Sequence, residues 1–133
     1  MTSPFRIVIV PGWRNSGPGH WQSLWAEQLE GAIRVQQQDW LVPHRDAWVG
    51  ELEKVLLADE RPAVIVAHSL GCITVAHWAE RAPASLLNQV RGALLVAPAD
   101  VERPACAPAL RNFAPIPTDA LPLDRKSTRL NSS

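Results

Sequence analysis

The segment Ala63-Val-Ile-Val-Ala-His-Ser-Leu-Gly-Cys72 constrains this chain more than any other. Its continuous apolar, β-branched start reads as a strand buried on both faces, and the residues from Leu70 onward read as a helix. Ser69 stands at the apex where one becomes the other. A turn this sharp forces the serine into strained backbone geometry and lifts its hydroxyl clear of the sheet, the arrangement of a nucleophile elbow. The residues two before and two after must be small so that strand and helix can approach. Ala67 and Gly71 meet that demand, Ala67 departing from the usual glycine by one methyl group. Ser69 is therefore the candidate nucleophile; the plainer alternative is a serine that caps a helix after a buried strand.

Around this segment, four short apolar runs alternate with helical periodicity. The strand candidates are Phe5 to Val10, Ile33 to Gln37, Ala63 to Ala67 and Ala93 to Ala97. Trp21, Leu24, Trp25 and Leu29 fall at helical spacing, as do Trp48, Leu52, Val55 and Leu56, while Leu70 to Ala82 supplies the helix leaving the elbow. Alternation of this kind builds a mostly parallel sheet with helices on both faces, an α/β three-layer sandwich. The second strand is the most polar and belongs toward an edge. After Asp100 no periodicity appears, and Pro104, Pro108, Pro115, Pro117 and Pro122 argue for loop or lid rather than a regular helix or central strand.

Length and composition limit the functions open to the chain. Its 133 residues suit one domain, and 13 basic against 13 acidic side chains leave no electrostatic footprint for a nucleic acid or an anionic membrane. Cys72 and Cys106 form no CxxC pair and are too few for a disulfide framework or a zinc cluster, which fits a reducing, cytoplasmic setting. The apolar run Ile7 to Val10 is far shorter than a signal-peptide core or a membrane span. The segment 125–133 holds three basic and no acidic side chains, with Leu130 its one apolar residue. Without it, residues 1–124 carry 10 basic against 13 acidic groups. The domain is expected to occupy 1–124, followed by a polar tail foreign to it.

Four motifs, in order, carry a family likeness: Ile9-Val-Pro-Gly12 leading into Gly17-Pro-Gly-His-Trp21, then Asp39-Trp-Leu-Val-Pro43, Ala67-His-Ser-Leu-Gly-Cys72 and Leu94-Leu-Val-Ala-Pro-Ala-Asp100. Over roughly residues 5–124 the chain resembles the small serine hydrolases of the α/β-hydrolase superfamily, the group that includes retinoblastoma-binding protein 9 and the YdeN-like bacterial proteins. The resemblance implies attack on ester or related acyl substrates by a serine, with a general-base histidine and an orienting aspartate. It implies no metal and no organic cofactor. The oxyanion donors are expected to be the backbone N–H groups of Leu70, at the helix start, and of Trp13, in the loop after the first strand. Gly12 and Trp40 are expected at the substrate.

The activating residues are harder to place. In this superfamily acid and histidine follow the serine, each on a loop after a later strand. Only His77 lies downstream of Ser69, and eight residues along one helix put it ~12 Å further up the axis, out of reach. His20, His44 and His68 precede the serine; Asp100 and Asp119 do not match the position of the family's acid. The resemblance therefore implies a C-terminally truncated hydrolase, incomplete on that side of the sheet and inactive as it stands. A non-catalytic module that engages a protein partner is the runner-up.

Gly12-Trp-Arg-Asn-Ser-Gly17 also has the glycine spacing of a phosphate loop, but Pro18 and Gly19 stand where the lysine and hydroxyl residue belong, which argues against nucleotide binding. Of the six tryptophans, Trp21, Trp25, Trp48 and Trp78 fall at core-facing helical positions. Trp13 and Trp40 follow strands and suit the acyl pocket.

Overall fold

A computed structural model of the chain describes residues 5–12, 32–96, 101–102, 108–116 and 127–130. Five strands, β1 (Arg6–Val10), β2 (Ala32–Arg34), β3 (Ala63–His68), β4 (Val90–Val96) and β5 (Ser127–Leu130), form one sheet in the order β2-β1-β3-β4-β5. Every pair is parallel. Helices α1 (Arg45–Leu57), α2 (Leu70–Arg81) and α3 (Ala84–Gln89) connect them, and a 3₁₀ turn spans Pro108–Phe113.

The central strands β1 and β3 are the apolar runs of the sequence, and they pair in register from Arg6 with Ala63 to Val10 with Ala67. β2 is the half-buried edge strand that its polarity predicts, although it covers Ala32–Arg34 rather than Ile33 to Gln37. β4 starts three residues earlier than its apolar run, since Val90-Arg-Gly, apolar only at its buried first residue, is drawn into the ladder past a register shift at Ala63/Val64. Before it lies α3, a helix of six residues, too short to show periodicity. The helix expected over Trp21 to Leu29 lies outside the described residues.

Two further elements depart from expectation. In the proline-rich stretch, the 3₁₀ turn begins at Pro108, where a missing N–H costs nothing because the first donors of any helix lack internal partners. In the segment read as a foreign tail, Ser127–Leu130 pairs with Ala93–Val96 as an outer strand. Backbone pairing needs no apolar signature, so composition did not reveal it.

The main core packs Val8, Val10, Ile65 and Ala67 of the sheet against Leu52 and Leu56 of α1, Val75 and Trp78 of α2 and Leu86 of α3. Its lower end is closed by Arg6, whose side chain is fully buried. The guanidinium donates to the carbonyls of Val55 (2.8 Å), Leu56 (2.7 Å) and Arg61 (3.1 Å) and to Gln89 Oε1 (3.3 Å). It thereby adds donors for the carbonyls of Val55 and Leu56 in the last turn of α1, where intrahelical donors run out; Val55 O also accepts from the cap residue Ala58 (3.3 Å). A second cluster joins Trp48, Leu70, Ile73, Val101 and Phe113, flanked by Trp40, Leu110, Ala114 and Ile116.

Candidate active site

The chain leaves β1 toward β2 on one side and enters β3 on the other, so the loops after β1 and β3 diverge. Such a reversal opens a crevice beyond the carboxyl ends of the strands, where ligands of open α/β sheets bind. Gly12 follows β1 and Ser69 follows β3 at that place.

Ser69 is the single non-glycine residue with positive φ among those described, at φ 55°, ψ −120°. An L-residue there is strained by about 1–3 kcal/mol and persists only where its surroundings hold it. Here its N–H donates to Val96 O (3.1 Å), extending the β3–β4 ladder by one rung, while its carbonyl accepts from Cys72 N–H (3.0 Å), closing the first turn of α2. The same residue thus ends a strand and starts a helix, and the positive φ is the geometric consequence. Ser69 occupies the cap position of α2, yet its side chain makes no capping hydrogen bond, unlike an ordinary N-cap serine. The residue is half-buried and its hydroxyl is uncommitted among the described residues.

The small residues around the turn are explained by what they touch. A Cβ on Gly71 would overlap Val10 O and stand 2.7 Å from Pro11 O, so the start of α2 presses on the backbone at the end of β1. A Cβ on Gly12 would meet Ser69 Cβ at 2.9 Å and His68 O at 3.0 Å. Ala67 is fully buried beside Val10. Leu70 opens the helix, where its N–H has no acceptor within α2. The position of a Gly12 Cβ would be 3.5 Å from that nitrogen. Ser69, Gly12 and Leu70 are therefore brought together. Trp13 lies outside the described residues, as do His20, Cys106, Asp100, Asp119 and Gly17 of the phosphate-loop alternative.

His77 is turned elsewhere. Its Nε2–H donates to Phe113 O (2.5 Å), and the ring lines a cavity of about 190 Å³ with Arg45, Val49, Glu80 and Arg81. His44 sits at the cap of α1. Trp40 is partly buried and meets Trp48 edge-on with ring centroids 5.7 Å apart, joining the cluster that surrounds Leu70. Among the described residues no group of His, Cys, Asp and Glu is placed to hold a metal, and Cys72 is a buried thiol whose Sγ donates to Val96 O at 3.6 Å. No described helix is long and apolar enough to cross a membrane. Sequence reasoning missed Asn112 and Phe113, which dock on this end of the molecule; a lone Phe in a proline-rich stretch was the one available signal.

The fold has known counterparts. A protein described as a YdeN-like hydrolase from Pectobacterium atrosepticum superposes with a TM-score of 0.67 at 25% identity, over 93% of this chain and 56% of that one. The ydeN gene product of B. subtilis gives 0.61 at 20% identity, over 93% and 68%. A cutinase-like protein from Cryptococcus sp. gives 0.62 at 10% identity, over 96% and 75%. The chain thus spans little more than half the length of the first of these. No curated protein matches it. The serine hydrolase family model matches residues 7–128, nearly the whole chain. With an α/β-hydrolase-like sheet and this match together, the chain belongs to the serine hydrolase family.

Proposed function

We propose that Ser69 is the nucleophile of an acyl-transferring hydrolase of the carboxylesterase kind, acting on esters or related acyl substrates. The observation that carries this reading is the Ser69 hydroxyl: held at positive φ beyond the sheet, half-exposed, and not used as a cap. Its oxygen attacks the acyl carbon as its proton passes to a base. The carbonyl oxygen becomes an oxyanion that accepts from Leu70 N–H and from Trp13 N–H. The alcohol then leaves with a proton, and water releases the acyl group by the same steps in reverse order. Gly12 keeps the space in front of Ser69 clear, and Trp40 lines the acyl side.

A serine hydroxyl at neutral pH needs a base within hydrogen-bond reach. His77 is committed to Phe113 O, and His68 precedes the serine at the end of β3. The reading takes neither histidine as that base, and without the histidine and acid of the family this stretch by itself is nearly inactive. A cytoplasmic setting and a small-molecule substrate belong to the same reading.

A fluorophosphonate probe tests it. The product of the gene's full reading frame should be labelled, Ser69→Ala should abolish labelling, and the 133-residue chain should stay unlabelled. A folded full-length product that resists the probe would overturn the assignment and leave a protein-binding module.

A further inference from the structure

Helix α1 lacks a cap of its own. His44, at its cap position, makes no side-chain hydrogen bond to the first turn. The acceptor comes instead from 67 residues downstream, where Asn112 Oδ1 receives the Arg45 N–H at 2.6 Å. The same amide donates through Nδ2 to Pro43 O (3.0 Å) and to Ala109 O (3.1 Å), so one side chain ties the 3₁₀ turn to the residues on both sides of His44. Two more bonds seat this segment: His77 Nε2–H to Phe113 O (2.5 Å) from α2, and Ile116 N–H to Glu102 Oε1 (3.1 Å). Between these ties, Phe113 is fully buried. Its ring meets Trp48 of α1 edge-on at 5.8 Å and shares a cluster with Leu70 and Ile73 of α2.

We infer that Asn112 is a positioning residue: by capping α1 in trans it seats Phe113, which fixes Leu70 and hence the first turn of α2 beside Ser69. A residue that caps its own helix stabilises that helix alone. An amide that caps one helix from a separate segment makes the two dock or release together, and here the segment's buried ring shares a cluster with the residue directly after Ser69. The 3₁₀ turn, the start of α1 and the start of α2 thus form one cooperative unit at the carboxyl end of the sheet. The consequence for chemistry rests on the reading of Leu70 N–H as an oxyanion donor; the mechanical coupling does not.

Hydrogen exchange on the 133-residue chain tests the coupling. Asn112→Ala should speed exchange roughly five- to thirtyfold in residues 45–48, 108–116 and 72–75, the range expected for loss of a cap. Exchange in β1 and β3 should stay unchanged. Phe113→Leu, which keeps the apolar contact but removes the aromatic edge, should reproduce the pattern in 72–75 if Asn112→Ala fails to fold. Faster exchange in 45–48 with none in 72–75, or an equal rise throughout β1 and β3, would overturn the inference. In the full-length product, Asn112→Ala should lower the maximal rate of fluorophosphonate labelling about tenfold with little change in the probe concentration at half-saturation. A weaker half-saturation at unchanged maximal rate would overturn the positioning role. If the unsubstituted full-length product is not labelled at all, the nucleophile assignment fails and exchange alone decides the coupling.

Discussion

Gly12 lies so close to Ser69 that a Cβ on the glycine would stand 2.9 Å from the serine Cβ, nearer than two such atoms approach in folded proteins. The contact joins the loops after two adjacent parallel strands, whose register sets Val10 beside Ala67. It sets how near the β1 loop can come to the turn, and so where its N–H groups can point.

Gly12→Ala should therefore destabilise the protein by about 1–3 kcal/mol, the usual cost of overpacking a close contact. Gly71→Ala should cost at least as much, since the added carbon meets the backbone oxygens of Val10 and Pro11 rather than a side chain that can turn aside. Urea unfolding of each variant measures both. Equal stability of Gly71→Ala and the parent chain would contradict the close approach of α2 to the end of β1.

At position 69 strain and chemistry separate. Ser69→Ala keeps the positive φ and removes the hydroxyl, whereas Ser69→Gly removes both the hydroxyl and the steric cost of that conformation. The glycine variant should be more stable than the alanine variant by about 1 kcal/mol, with both unlabelled by fluorophosphonate in the full-length product. A more stable alanine variant would mean that the turn carries no strain.

Replacing Arg6 by methionine leaves the carbonyls of Leu56 and Arg61 without the donor that now reaches them. The loss should be roughly 2–4 kcal/mol, dominated by acceptors left buried and unpaired. Burial pushes the Arg6 guanidinium pKa down and the nearby Asp59 carboxylate pushes it up, yet an arginine stays charged at any ordinary pH. Arg6→Lys should recover part of the loss, because an ammonium can serve some of these acceptors but not the whole fork. Thermal denaturation of the two variants ranks them.

Asp59 gives the pH dependence. Its carboxylate accepts from Arg61 Nε (2.8 Å) and from the Arg61 N–H (2.9 Å), and these bonds hold its pKa at about 2, below the ordinary carboxylate range. A depressed carboxylate pKa contributes stability that is full above the unfolded value and is lost as pH falls toward the folded one. The contribution should fade between about pH 4 and pH 2, and it should be absent in Asp59→Asn. An NMR titration of the Asp59 carboxyl carbon with a midpoint near 4 would show that the pair does not form in solution.

What could be read along the chain was local. Ser69 was found because a buried strand running straight into a helix leaves one residue to make the turn, and the small neighbours at 67 and 71 are the steric signature of that turn. The order of apolar runs likewise carried the parallel sheet. Asn112 was invisible for the opposite reason: a single polar residue among prolines has no periodicity, and its partners at Pro43 and Arg45 lie far away in sequence. β5 was hidden because its place in the sheet rests on backbone pairing with β4 rather than on an apolar pattern.

Fold class and the place of the strained serine follow from local rules, since strand burial, helical period and the smallness of Ala67 and Gly71 act within a few bonds of one another. Which partners those residues have is settled by the packed fold. It set Gly71 on the Val10 backbone and Gly12 on Ser69, put Arg6 at the end of α1, and turned His77 toward Phe113 instead of the serine. Such pairings depend on strand order and register, which bring distant segments within hydrogen-bond range and leave no trace in the spacing of residues along the chain.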